Sequence, residues 1–166
     1  MGSDSDLEIM QEAAKILDEL TIPNETLLLS THRAPEETAK YAMEAKGRGI
    51  KVIIAGAGGA AALPGSIASL TTLPVIGVPV TTKSLEGIDS LLSIVQMPPG
   101  VPVATVGIGS AKNAGLLAAE IIGACDAKVN ERVTSYKQKI KLEVLAKNKK
   151  LQSLGINKYL EEKAKK

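Results

Sequence analysis

The chain predicts a three-layer α/β domain built on a parallel sheet, and three observations carry that prediction. Short β-branched runs alternate with amphipathic helical stretches, and the connections between them are brief and glycine-rich. The run VIIAGAGGAAALPG at residues 52–65 reads as a buried strand followed by backbone with no side chain large enough to fill the space above it. Parallel sheets of this kind bind ligands beyond the carboxyl ends of their strands. The glycine loop is therefore where a ligand is expected.

In chain order, MGSDSDLEIM puts turn residues directly before a helix whose apolar positions Ile9, Met10, Ala13, Ile16, Leu17 and Leu20 follow the 3.6-residue period. Ser5 and Glu8 stand in capping-box spacing. Free amides there, with the Ser3 and Ser5 hydroxyls beside them, suit a phosphate or sugar oxygen, although an ordinary capped helix start has the same pattern. Residues 25–30 read as a strand, and Pro35-Glu36-Glu37 opens a helix that runs to about Ala45 and stops at Gly47 and Gly49. Strands are expected at Lys51 to Ala55, Pro74 to Val78 and Pro102 to Gly107. Helices are expected from Pro64 through Leu70, from Ile88 to Val95 and from Ser110 to Ile122, with a polar loop over 81–89 and a turn at 97–100. From about residue 127, Val129, Val133, Tyr136, Ile140 and Val144 trace one helical stripe, broken near Gly155 and followed by a short helix from Asn157 to Lys165.

That makes four strands, and the first candidate phosphate loop has none in front of it. The strand that feeds such a loop is normally central, so its absence leaves two neighbouring ladders of backbone groups without partners. The expected architecture is thus a flavodoxin-like sheet lacking its first strand. Met1 sits where an internal methionine at a strand end would sit, and a strand is expected ahead of it. Residues 1–125 form the α/β domain, and residues 126–166 a helical extension packed on a neighbouring subunit.

Composition narrows the function. The chain of 166 residues has three Tyr and neither Phe nor Trp, so aliphatic side chains must build the core, and stacking of bases on aromatic rings is disfavoured. Residues 1–125 hold 8 Lys/Arg against 13 Asp/Glu, and residues 126–166 hold 12 against 5. The basic tail lacks aromatic anchors and arginine clusters, so a solvated or subunit-facing helix is favoured over nucleic acid or membrane. The single Cys125 excludes an intramolecular disulfide, and no apolar run reaches the ~18 residues of a membrane span. A cytoplasmic protein is expected.

The chemistry centres on His32, the only histidine, in a strand-to-helix loop beside Arg33 and Ser30. A histidine there can take and release protons near neutral pH, Arg33 offers a fork to a phosphate, and Ser30 offers a hydroxyl. One histidine and one distant cysteine make no zinc cluster. There is no GxxxxGK[ST] nucleotide loop and no GxSxG elbow, and GAGGAA lacks the ribose-binding acid that would complete a dinucleotide fingerprint.

Six segments together carry a resemblance: GSDSD (2–6), STHRAPE (30–36), AGAGGAAALPG (55–65), LPVIGVPV (73–80), GIDSLLSIVQMPPGVPVATV (87–106) and NAGLLAA (113–119). The chain resembles the class I catalytic subunit of phosphoribosylaminoimidazole carboxylase, the N5-carboxyaminoimidazole ribonucleotide mutases. The resemblance implies a step of de novo purine biosynthesis: a carboxylate moves from an exocyclic nitrogen to ring C4 of an aminoimidazole ribonucleotide. It implies no cofactor, a homo-octamer, and either CO2 or the carbamate nucleotide as carboxyl donor. By the same resemblance His32 is the proton shuttle, and Arg33 and Ser30 lie around the phosphate. Ser3 and Asp6 hold phosphate and ribose. Gly58 and Gly59 line the carboxylate position, and Ala62 and Leu63 complete the substrate contacts. Two positions depart from the family pattern. Thr31 replaces the alanine of SAHR, and Ala62 stands where the family loop AGAGGAAHLPG has a second histidine.

Three readings remain open at this stage. A cofactor-free isomerase keeps His32 beside a phosphate-binding arginine. An impaired or inactive nucleotide-binding relative is favoured by Ala62. A nicotinamide dehydrogenase needs a fingerprint that residues 52–59 begin but do not finish.

Overall fold

The structure is a computed structural model that describes residues 1–164. Nine elements follow a short 3-10 turn at Asp4–Asp6: α1 (Leu7–Glu19), α2 (Pro35–Ala45), β1 (Ile53–Ala57), α3 (Leu63–Ala68), β2 (Val75–Pro79), α4 (Ile88–Val95), β3 (Ala104–Thr105), α5 (Ala111–Gly123) and α6 (Ala127–Ala164). The sheet is parallel in the order β1-β2-β3, with Ile53 opposite Val75 and Ile76 opposite Ala104. This is the flavodoxin-like arrangement expected, with helices on both faces.

Strand periodicity divides the core. Odd-numbered residues Ile53, Ala55, Ala57 and Val75 pack with Ala42, Ala45, Leu63, Ile67 and Ile94 beneath α2, α3 and α4. Even-numbered Ile76 and Val78 pack on the other face with Met10, Ala13, Ile16 and Leu17 of α1, Ala114 and Ala118 of α5, and Val129 and Val133 of α6. Near-continuous burial of β2 is what a central parallel strand requires. Gly115 lets α5 close onto α1, since a Cβ there would come within 2.9 Å of the Ala13 carbonyl oxygen.

Four expectations are corrected. Residues 25–30 are extended but form no strand, so the described sheet has three strands rather than four. The physical reason is the lack of a neighbour to pair with: only Met1 lies alongside, donating its amine to the Leu27 carbonyl at 3.0 Å and accepting from the Leu29 amide at 2.9 Å. The Arg48–Glu25 ion pair, at 2.6 Å, ties that segment to the body of the fold. The capping box joins Ser3 and Asp6 rather than Ser5 and Glu8. The Ser3 amide donates to Asp6 Oδ2 at 3.1 Å, and Ser3 Oγ accepts from the Ser5 amide at 3.3 Å. The strand expected over 102–107 contracts to Ala104–Thr105; the Val106 and Gly109 amides still donate to the Gly77 and Pro79 carbonyls of β2, but the backbone turns at Gly107, whose carbonyl accepts from the Ser110 amide. The helix opened by Pro64 ends at Ala68, where Ser69 caps it.

The helix boundaries at Pro35, Ala45, Ile88 and Val95 agree with the sequence reading. Gly155 interrupts α6 with φ 72° and ψ 168°, as its position suggested. The expected end of the last helix, Lys165, lies outside the described residues. Beyond Tyr136, which still packs against the core, α6 leaves it: Val144 is 63% and Ile156 70% exposed.

Candidate active site

Three loops meet above the carboxyl end of β1. The first is the chain start, where the Ser3–Asp6 box folds the backbone back on itself and buries Asp6. The second is the turn 30–34, closed by the amides of Arg33 and Ala34, which both donate to the Ser30 carbonyl at 3.2 and 2.7 Å. Pro35 follows as the first residue of α2, where its missing amide costs nothing. The third is the glycine loop 58–62, which leaves β1 and enters α3.

Side chains pin these loops to one another. Arg33 Nη2 donates to the Gly2 carbonyl at 2.7 Å, and Arg33 Nε donates to Ser30 Oγ at 3.3 Å, so one guanidinium fastens the second loop to the first. The Gly59 amide donates to Ser90 Oγ at 2.9 Å, and Ser90 in turn donates to the Val80 carbonyl at 2.7 Å. Gly59 has φ +65°, a left-handed conformation that a side chain disfavours. Ala61, at φ +31°, holds a strained conformation in the same loop. Thr82 Oγ1 donates to Asp89, at 2.8 Å from Oδ1 and 3.0 Å from Oδ2, which fixes the chain leaving β2.

The loops enclose a crevice of about 300 Å3, at the small end of the range for small-molecule sites. Of the residues singled out in the sequence, Ser3, Asp6, Ser30, His32, Arg33, Gly58, Ala62 and Leu63 line it. Gly59 stands behind the wall, held by Ser90, and is not among the lining residues. His32 and Arg33 are exposed at the rim, while Leu63 is buried beneath. Sequence reasoning passed over Thr81 and Thr82, which form a fourth wall. Their position just after β2 was the available signal, because parallel strands present their carboxyl-end loops to the same crevice. Thr31 also lines the crevice, and its buried Oγ1 has no partner. A buried hydroxyl in that state costs free energy unless something fills its valence. Among the described residues no group of His, Cys, Asp and Glu is arranged to hold a metal ion.

Fold and crevice define a class: a flavodoxin-like α/β protein whose strand-end loops gather hydroxyls, amides, one arginine and one histidine around a small polar site. The sequence matches the AIR carboxylase family over residues 1–143. It is 56% identical over 163 residues to the N5-carboxyaminoimidazole ribonucleotide mutase of Thermotoga maritima, covering 98% of this chain and 95% of that protein. It is 57% identical over 162 residues to the enzyme of the same name from Pyrococcus horikoshii, covering 98% and 92%. The fold superposes on the crystal structure of Treponema denticola PurE with a TM-score of 0.83 at 28% identity, over 91% of this chain and 94% of that one. The chain belongs to the AIR carboxylase family, in its class I, PurE-type mutase and carboxylase group.

Proposed function

We propose that the protein is a cofactor-free mutase of purine biosynthesis. It moves the carboxylate of N5-carboxyaminoimidazole ribonucleotide from the exocyclic nitrogen to ring C4. The observation that carries this reading is the convergence of Ser3, Asp6, Ser30, His32 and Arg33, from two separate stretches of sequence, on one crevice beside the glycine loop. Family membership supplies the substrate: the relatives that match nearly end to end are mutases of that nucleotide.

The chemistry follows from charge and proton bookkeeping. The ring of an aminoimidazole is electron-rich at C4. Cleavage of the N–C bond of the carbamate releases CO2 and leaves the electron pair on nitrogen, which takes a proton. C4 then attacks CO2, a C–C bond forms, and the C4 hydrogen must leave as a proton to restore the aromatic ring. Net, one carboxylate and one proton exchange places, so a single group able to accept and return a proton suffices. His32 is that group in this reading. Arg33, with the Ser3 and Ser30 hydroxyls, holds the phosphate, and Asp6 holds the ribose. The glycine loop around Gly58 and Gly59, with Ala62 and Leu63, keeps CO2 next to C4 between the two steps. The unpartnered Thr31 hydroxyl supports a further polar contact to the substrate.

We further propose that the chain assembles as a homo-octamer in the cytoplasm and that residues 126–166 pack on neighbouring subunits. The exposed aliphatic residues Ile140, Val144 and Ile156 on α6 support that packing. Among the described residues no helix is long and apolar enough to cross a membrane.

A second reading, a nucleotide-binding relative with impaired turnover, is favoured by Ala62, which lines the crevice where the family carries a histidine. Interconversion of the two carboxylated nucleotides, measured in both directions for the chain, for Ala62→His and for His32→Asn, separates the two. The mutase reading expects activity in the chain, more in Ala62→His, and loss in His32→Asn. Activity only in Ala62→His supports the impaired relative.

A further inference from the structure

The ladder between β1 and β2 stops one step short at the crevice. Parallel alternation sends the Ile53 amide to the Pro74 carbonyl and the Val80 amide to the Ala57 carbonyl. The next bond in that series would run from the Gly59 amide to the Val80 carbonyl. Ser90 Oγ sits between those two groups instead, accepting from Gly59 at 2.9 Å and donating to Val80 at 2.7 Å. Two bonds span what one bond of about 2.9 Å closes elsewhere in the ladder, so a single hydroxyl holds the strands apart at their carboxyl ends. Ser90 is completely buried and comes from α4, whose start packs so closely that a Cβ on Gly87 would meet Ile108 Cγ2 at 2.6 Å.

The crevice opens where the strands part. Gly58, Val80 and Thr82 all line it, and a Cβ on Gly58 would come within 3.6 Å of Thr82 Cγ2 and 3.7 Å of the Val80 carbonyl oxygen. Helix α4 fixes both lips of this opening. Asp89, next to Ser90, accepts from Thr82 Oγ1 on the chain leaving β2. Ser93 lies one turn further on. Its Oγ is 3.2 Å from the Gly59 carbonyl and 2.8 Å from the Asp89 carbonyl, with one proton shared between them. Gly59 is thus tied to α4 through both its amide and its carbonyl.

We propose that Ser90, supported by Ser93, is a positioning residue for the carboxyl group in transit. It touches no substrate and acts by fixing how far the glycine loop stands from β2. The inference rests on the mutase reading, in which that loop keeps CO2 beside C4. CO2 is small and carries no net charge, so no ion pair retains it. The fit of the walls does, and a wall displaced by about an ångström lets CO2 leave before C4 attacks. Ser90 holds that wall from behind. In the same reading the phosphate and ribose are held by the other two loops, so Ser90 governs the fate of CO2 and leaves nucleotide binding alone.

A single turnover of nucleotide labelled with 13C at the carbamate carbon, with protein in excess and unlabelled bicarbonate in the buffer, reads that fate. The ratio of labelled to unlabelled carboxylate on C4 does not depend on how much of a variant is folded, so lost stability alone leaves it unchanged. Ser90→Ala is expected to lower the ratio about tenfold, as removal of one buried tie does, with steady-state KM changed by less than about twofold. Ser90→Thr, which keeps the hydroxyl, is expected to restore most of it. Ser93→Ala, at an exposed position, is expected to lower it by a smaller factor. An unchanged ratio in Ser90→Ala overturns the proposal. A ratio in Ser90→Thr as low as in Ser90→Ala also overturns it, because packing and not the hydroxyl then sets the wall. If Ser90→Ala does not fold, Ser93→Ala decides: a lowered ratio supports the proposal and an unchanged one overturns it. Absence of any carboxylate on C4 from the unaltered chain overturns the mutase reading and this proposal with it, whereas full retention of label by chain and variants alike overturns this proposal only.

Discussion

Arg33 Nη2 and the Gly2 carbonyl oxygen lie 2.7 Å apart, a bond that spans 31 positions of sequence and joins two of the three loops of the crevice. The same guanidinium reaches Ser30 through Nε. Its planar fork sets both bonds at once, which a lysine cannot do. Arg33→Lys should therefore raise KM for the nucleotide by about 10- to 100-fold with a smaller change in kcat, as loss of a charge-assisted phosphate contact does. Steady-state kinetics on the variant checks it; an unchanged KM would place the phosphate elsewhere.

Ser90 is completely buried and serves two loops, accepting from Gly59 and donating to Val80. Ser90→Ala leaves the Gly59 amide and the Val80 carbonyl without that partner, at a cost of about 1–3 kcal/mol in unfolding free energy. Urea titration measures the loss. Exchange of the Gly59 amide should quicken together with it.

Gly115→Ala sets two effects against each other. Helix propensity alone favours alanine by about 1 kcal/mol. The added methyl meets the Ala13 carbonyl at 2.9 Å and crowds Ile16, and backbone cannot swing aside as a side chain can. Overpacking of a closed helix contact costs about 1–3 kcal/mol, so net destabilisation is expected. An increase in the denaturation midpoint would show that α1 and α5 can separate freely.

The Met1 amine gives stability a pH dependence of definite sign. Burial lowers its pKa in the folded state below the ordinary value of about 8, so the unfolded chain binds more protons in the window beneath that value. Its contribution is present above about pH 8 and is lost as pH falls through the lowered folded pKa. Acetylation of the amine should remove that slope. Unfolding measured across this window on acetylated and unmodified chains tests it, and identical profiles would contradict the assignment.

Local chemistry made several features legible in the sequence. Pro35 announced α2, and Gly155 broke α6 where it stands alone in a long helical stretch. His32, Arg33 and Ser30 were legible as a cluster because they are sequence neighbours. Features set by tertiary pairing were not. Residues 25–30 have strand composition, yet a strand needs a partner, and the neighbouring position holds only Met1. Ser5–Glu8 and Ser3–Asp6 have the same spacing, and only the path of the preceding chain selects the second. Ser90 lies 31 residues from the amide it receives, and no spacing rule signals such a bond.

The central claim is transfer of a carboxylate with His32 as the moving base, and isotope placement tests it most directly. The chain is supplied with nucleotide labelled with 13C at the carbamate carbon, without metal or ATP, and the product is read by NMR. The account predicts label at the carboxylate on C4 with the chain and none with His32→Asn, which still binds the nucleotide. Equal conversion by His32→Asn, or binding without any labelled product from the folded chain, would contradict it.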